Sequence, residues 1–230
     1  MPSATAPSSS DKSKVHKLQI KGSAKLVTEF FEYGINTILF QRGVYPPEDF
    51  SAVKKYGLTI MTTIDDQVKA YIKKIMSQLS KWMSRSKISK LVVVITSKET
   101  GEHVERWQFD VNHTPTSTSS KSTSGSGEKE NSDPVPPNSA AAAAEKTDAE
   151  IQQDIQSLFR QITASVTFLP VLDGNCTFNV LVYADADSEV PLEWGDSDAK
   201  EVKNAEKVML RSFSTNSHRI DTVVSYRLAE

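Results

Sequence analysis

The stretch Arg211–Leu228, "RSFSTNSHRIDTVVSYRL", opens polar and then alternates. Ile220, Thr222, Val224, Tyr226 and Leu228 fall on one side, and Arg219, Asp221, Val223, Ser225 and Arg227 on the other. That period of two predicts a strand with one buried face. It stands at the end of the sequence, where chains usually fray, behind a long polar passage. The acidic text before it, "DADSEVPLEWGDSDAKEVKNAEK" from Asp185 to Lys207, reads as mostly irregular, and "VMLRSF" as a further short strand segment.

Working back toward the N-terminus, "TFNVLVYA" and "VTFLPVL" read as two strands joined through "DGN". "TDAE" matches a capping box, with Thr147 and Glu150 at the right spacing. It opens a helix whose apolar face is Ile151, Ile155, Leu158, Phe159 and Ile162, with Arg160 and Gln161 off that stripe. "KLVVVI" fits a strand covered on both faces. "VERWQFDV" alternates, with Trp107, Phe109 and Val111 on one face, so the two make a hairpin. A long helix is predicted from about Asp65 to Met83 on Val68, Tyr71, Ile72, Ile75, Met76, Leu79 and Trp82, with Lys69, Lys73, Lys74 and Lys81 on its wet side. "PEDFSAVKKYG" reads as a short helix capped by Gly57. A first helix starts near Ser23, with Val27, Phe30, Phe31, Gly34, Ile35, Ile38 and Leu39 as a wide apolar stripe, and stops at Gly43 and "YPP".

Three long helices with strands clustered after Lys90 predict an α+β fold, a mainly antiparallel sheet with helices on one face. Residues 112–146 are Ser, Thr, Pro, Gly and Ala with almost no large apolar group. Such a segment buries too little surface to offset its ordering entropy, so it is expected to be a disordered loop inserted in one domain. Residues 1–16 are expected to be a disordered tail, leaving 17–230 as a single domain.

The chain has 230 residues, a net charge of −2, 38% apolar and 24% charged residues. A general nucleic-acid or acidic-membrane binder would be more basic. The lone cysteine, Cys176, cannot form an internal disulfide, which favours a reducing compartment, and its place before an apolar strand suits packing. No apolar run approaches the roughly 20 residues of a membrane helix, and "MPSATAPSSSDKSK" has no apolar signal-peptide core. A nuclear or cytosolic protein is expected. His16, His103, His113 and His218 lack metal-ligand spacing with one another or with cysteine. Phosphate-cradling glycine loops and nucleophile elbows are missing as well. No cofactor, metal or catalytic residue is therefore assigned. "KWMSRSKISK" holds four basic residues and a tryptophan, but Trp82 belongs to the helix stripe, and a solvated helix end suits the rest.

Several segments go further. "EFFEYGINTILFQRGVYPPEDF", "KYGLTIMTTID", "KLVVVITSKETGEHVERWQFDV", "LFRQITASVTFLPVLDGNCTFNVLVYAD" and "VPLEWGDSDAKEV…VMLRSFSTNSHRIDTVVSYRL" resemble the spindle-checkpoint branch of the HORMA-domain family. The likeness runs from about residue 17 to the end, interrupted at 112–146. It implies that residues from about 185 to 230 are a mobile safety belt. In an open conformer the belt covers one sheet edge; in a closed conformer it moves to the other, and a partner's extended peptide is trapped at the vacated edge. By matching segments, that vacated edge is Thr177, Phe178, Asn179, Val180, Leu181, Val182 and Tyr183, and the belt's new edge is "ERWQFDV". The belt residues are Pro191, Trp194, Thr222, Val224, Tyr226 and Leu228, and a phosphate on Thr222 would oppose closure. Open–closed dimerisation is implied for Arg160, Gln161, Thr167, Phe168, Arg42 and Arg211.

The resemblance also implies the role and the partners. The role is that of a non-enzymatic adaptor of the spindle assembly checkpoint, found in the nucleus, at kinetochores and in the cytoplasm. The partners are a coiled-coil kinetochore checkpoint protein, the activator of the anaphase-promoting complex, members of a pseudokinase-containing checkpoint complex, a second copy of the chain, and an AAA+ remodelling ATPase with its adaptor. No nucleic acid or membrane is among them. The alternatives are another HORMA adaptor, such as the accessory subunit of translesion polymerase zeta, and an enzyme with an unrecognised site. A polymerase subunit as captured partner would mark the first. Activity that survives loss of the last strand would mark the second.

Overall fold

Six apolar side chains of one helix face, Val27, Phe30, Phe31, Ile35, Ile38 and Leu39, are each 1% exposed or less and form the centre of the core. In the computed structural model they belong to α1 (Ser9–Gln41). The structure describes residues 9–114, 146–172, 174–192 and 194–228, with side chains from Gly22 onward. The helix begins at Ser9, so residues 9–16 of the expected tail are helical; residues 1–8, and 115–145 of the expected loop, lie outside the described residues. α1 ends where Gly43 turns to φ +62° and the Val44 and Gly43 amides reach back to the carbonyls of Leu39 and Phe40, the six-to-one and five-to-two bonds of a Schellman stop.

The segment expected to be a short helix is mostly a hairpin. A single 3-10 turn, Pro47–Asp49, uses up the prolines. Then β1 (Phe50–Lys55) pairs antiparallel with β2 (Leu58–Thr63). Tyr56 and Gly57 between them both have positive φ, 50° and 67°. That is the two-residue turn whose twist matches the strands it joins. Gly57 is the hairpin's turn residue rather than a helix cap.

α2 (Asp66–Ser84) starts on Asp65, whose carboxylate accepts the Val68 amide at 2.8 Å. β3 (Ile88–Ser97) and β4 (His103–His113) form the expected hairpin. Leu91–Ile95 are all fully buried, as a strand covered on both faces requires. α3 (Asp148–Ala164) opens with the capping box read from "TDAE": Thr147 Oγ1 accepts the Glu150 amide at 3.3 Å and the Glu150 carboxylate accepts the Thr147 amide at 2.8 Å. The strand expected in "VTFLPVL" does not form. Ser165 closes a 3-10 turn through Thr167: its hydroxyl donates to the Ile162 carbonyl, and its own carbonyl accepts from both Phe168 and Leu169. Pro170 then has no amide to offer a ladder.

β5 (Cys176–Ala184), β6 (Ala205–Met209), β7 (Phe213–Ser214) and β8 (His218–Arg227) complete the fold. The main sheet runs β5-β3-β4-β8-β6, with β7 also on β8, and every pairing is antiparallel. α1 covers one face, where Phe30 and Phe31 meet Phe109 at 5.9 and 5.6 Å between ring centroids. This is the expected α+β arrangement of an antiparallel sheet on three long helices.

Candidate functional site

β8 lies on β4, where nine residue pairs run from Glu105↔Tyr226 to His113↔His218. Its alternation holds from Arg219 to Val224, where Ile220, Thr222 and Val224 are fully buried and Arg219 is exposed, and lapses beyond, where Ser225 is buried and Tyr226 half-buried. The opposite margin of the sheet is β5, which pairs with β3 and, among the described residues, with no strand on its outer side. A row of main-chain donors and acceptors without a strand partner is a template for strand addition.

The direction of that row follows from one bond. The Val180 amide donates to the Tyr71 hydroxyl of α2 at 3.3 Å, so it points away from β3. Alternation then turns the main-chain groups of Phe178, Val180 and Val182 outward, and those of Thr177, Asn179, Leu181 and Tyr183 toward β3. The side chains of Phe178 and Val180 are buried. The Phe178 ring is met edge-on by Tyr45 and Tyr71 at 6.1 and 5.5 Å. Burial raises the pKa of both tyrosines, so the hydroxyls stay protonated. Tyr71, expected in the buried stripe of α2, is 39% exposed at this edge.

From the end of β5 the chain forms a strap, residues 185–204, that returns alongside α2. Lys87 bonds Asp187 at 2.7 Å and Asp185 at 3.5 Å, and Arg85 faces Glu189 at 3.8 Å. Two basic residues of "KWMSRSKISK", Arg85 and Lys87, thus meet the acidic strap, while Lys90 pairs with Asp110 of β4. These exposed pairs hold little energy. Firmer contacts come from tryptophan: Trp82 Nε1 donates to the Glu189 carbonyl at 3.1 Å, and its ring meets Trp194 edge-on at 5.1 Å. Pro191 and Trp194 wall a groove of about 380 Å³ with Lys73, Ser77 and Lys81 of α2. Farther along, Arg106 of β4, 3% exposed, donates to the Ala199 carbonyl and pairs with Glu201 at 3.5 Å, and Val202 is buried. Arg106 alternates with Trp107 and so lies on the sheet face away from α1. The strap therefore passes from α2 to the far face round the outside of β5.

The belt end is pinned to α1 as well. His218 is fully buried; its Nδ1 and the Thr215 hydroxyl both hydrogen-bond the Ser23 hydroxyl at 2.5 Å. Burial, with His113 5.0 Å away, pushes the imidazole pKa down to about 4. The Thr222 hydroxyl is fully buried without a hydrogen-bond partner, so no kinase reaches it while β8 lies on β4. Leu228 is 55% exposed.

The residues named for self-association separate into two groups. Arg160, Thr167, Phe168 and Arg211 are exposed, and the Gln161 side chain accepts the Arg211 amide at 2.6 Å. Arg42, also implied for dimerisation, is placed differently. Only 9% exposed, it pairs with Glu105 at 2.9 Å and also donates to the Pro170 carbonyl. Glu105 in turn accepts from Trp107 Nε1 at 2.6 Å. Burial pushes the Glu105 carboxyl pKa upward, partly offset by Arg42 and Trp107. Sequence reasoning missed this network and the edge position of Tyr71. Parity was the available signal for the first: Glu105 shares the inward face with Trp107, Phe109 and Val111, and a buried carboxylate needs a cation.

Burial raises the Cys176 thiol pKa, which suits packing rather than reactivity. Among the described residues no three His, Cys, Asp or Glu side chains gather as metal ligands.

Residues 23–218 match the model of the HORMA domain. The chain is 53% identical over 209 residues to the mitotic spindle checkpoint component mad2 of Schizosaccharomyces pombe, covering 91% of this chain and 94% of that protein. It is 41% identical over 216 residues to the human mitotic spindle assembly checkpoint protein MAD2A, covering 94% and 96%. Among solved structures, a chain of the mitotic checkpoint complex superposes with a TM-score of 0.75 at 51% identity, over 90% of this chain and 99% of that one. C. elegans HTP-1 bound to HTP-3 motif-1 shares the fold at a TM-score of 0.65 and 14% identity, over 90% and 91%. With the family model spanning most of its length and close relatives matching nearly end to end, the chain belongs to the HORMA-domain family.

Proposed function

We infer that this chain is a spindle assembly checkpoint adaptor that traps extended peptides at the outer edge of β5, beneath the 185–204 strap. The observation that carries the reading is the pairing of β8 with β4 while β5, among the described residues, stands without a strand on its outer side. A peptide laid along Phe178, Val180 and Val182 would gain main-chain hydrogen bonds that tolerate many sequences, with side-chain pockets selecting among them. The strap would close over it, locked by Thr222, Val224 and Tyr226 on β4.

The peptides proposed are segments of a coiled-coil kinetochore checkpoint protein and of the activator of the anaphase-promoting complex; holding the activator delays anaphase. A pseudokinase-containing checkpoint complex and an AAA+ ATPase with its adaptor are proposed as further partners. Self-association through Arg160, Gln161, Thr167, Phe168 and Arg211 is proposed on their exposed or half-exposed positions around the end of α3. Action in the nucleus, at kinetochores and in the cytoplasm follows from that role. The strength of the checkpoint likeness favours this branch over a polymerase accessory subunit.

The test is to remove residues 221–230 and follow the release of a labelled segment of the activator by fluorescence anisotropy. Release from the truncated chain is expected to be at least tenfold faster, because affinity differences within one interface lie mostly in the off-rate. Equal residence on both chains would overturn the strap mechanism.

A further inference from the structure

We propose that the Tyr71 hydroxyl is a placeholder on the open edge, occupying the Val180 amide until the carbonyl of an incoming peptide replaces it. The proposal rests on the reading of β5 as the capture edge.

Val180 is the middle of the three outward-facing positions 178, 180 and 182, so its amide lies where an added strand must bond. That amide is taken by a side chain from a different element, Tyr71 of α2. The bond is easily surrendered. At 3.3 Å it is long for N–H···O, and long bonds are weak. The ring is held by its edge-on contact with Phe178 at 5.5 Å, yet 39% of the residue remains exposed. A displaced hydroxyl therefore meets water and loses little. Burial keeps the phenol protonated, so the group offers a neutral oxygen that accepts one amide without placing a charge at the edge.

Two consequences oppose each other. While the site is empty, the hydroxyl blunts the centre of an edge that would otherwise invite indiscriminate strand pairing. When the right peptide arrives, displacing the hydroxyl subtracts one weak hydrogen bond from its affinity. Tyr71 is thus a positioning residue that exchanges some affinity for selectivity. Removing its oxygen, while keeping the ring against Phe178, separates the two effects.

The experiment compares the full-length chain with its Tyr71→Phe variant. The probe is a fluorescein-labelled peptide selected on the wild-type chain from a random-peptide display library. Hydrogen exchange on the wild-type complex first reports whether the Phe178, Val180 and Val182 amides become protected. Tyr71→Phe is then expected to bind the peptide about two- to threefold more tightly, the low end of what one hydrogen bond contributes. Its Val180 amide is expected to exchange faster than the wild-type amide in the peptide-free state. Protected edge amides with unchanged or weaker binding by Tyr71→Phe would overturn the placeholder and leave the capture edge standing. Edge amides that stay unprotected would overturn both. A purely structural role for Tyr71 predicts weaker binding or none of these changes.

Discussion

Trp82 of α2 and Trp194 of the strap meet edge to face, ring centroids 5.1 Å apart and planes at 77°. The contact joins the last turn of a core helix to a stretch that has no regular secondary structure of its own. Such aromatic pairs contribute about 0.5–1.5 kcal/mol beyond the area they bury. Trp194→Ala is expected to leave the global unfolding midpoint nearly unchanged. Amide exchange across residues 189–199 should rise several-fold, read by mass spectrometry. A large global loss would instead make Trp194 part of the core.

Breaking the Arg42–Glu105 pair should be costly. Both side chains are buried, and removing one partner strands the other's charge, at about 3–5 kcal/mol. Arg42→Ala is therefore expected to lower denaturant stability by that order. Any loss of self-association in this variant would then report misfolding of the α1 end and of the Pro170 turn. Stability within 1 kcal/mol of wild type, about the scale of an exposed pair, would contradict the burial.

His218 predicts a pH dependence with a definite sign. Its pKa falls from about 6.5 to about 4 in the folded chain, chiefly through burial. The folded state holds it neutral while the unfolded state protonates first. The stability it allows is fully present above about pH 6.5 and is lost as pH falls toward 4. Between pH 7 and pH 5 the loss from this one group is about 2 kcal/mol. Urea unfolding at the two pH values, on wild type and His218→Gln, should show a clearly smaller loss in the variant. Identical pH slopes would remove His218 from the account.

Thr222 offers a test of opposite direction. Its buried hydroxyl has no partner, so Thr222→Val removes a desolvated polar group at nearly constant shape. The variant is expected to gain about 1 kcal/mol and to favour the β4-paired belt. Thr222→Glu should drive β8 off β4, visible as a change in the NMR resonances of Trp107 and Phe109.

Arg160 is exposed on α3 and off its buried stripe. Arg160→Glu is expected to leave thermal stability unchanged and to abolish dimer in sedimentation velocity. Gln161→Ala should behave differently, because Gln161 holds the Arg211 amide and its loss loosens the approach to β7.

The long elements were legible because their signals are local. The stripe of α1, the capping box at Thr147 and the alternation of β8 are each written within a few turns or residues. The hairpin at Phe50–Thr63 was misread because Pro47 and Gly57 suit a helix start and stop equally well. What decided it was positive φ at Tyr56, a non-glycine residue, on which the sequence is silent. "VTFLPVL" has strand composition, but Ser165 captures the backbone before a ladder can form. For the site, the edge and the belt came from family likeness rather than pattern. The burial of Arg42 was not legible because its partner, Glu105, lies 63 residues away. Tyr71 fell in the stripe by spacing, and only the tertiary course of β5 beside α2 brings its hydroxyl to the edge.

The strap leaves from one margin of the sheet and returns at the other, so chain and sheet together form a lasso around the outside of β5. Its knot is the β4–β8 ladder, which is noncovalent. A segment from the middle of a long partner, with folded domains on either side, cannot be threaded through such a loop end first. The loop must be untied and retied around it. Entry then depends on how often β8 lets go, and the observed association rate should level off with rising partner concentration at that frequency, whatever partner is supplied.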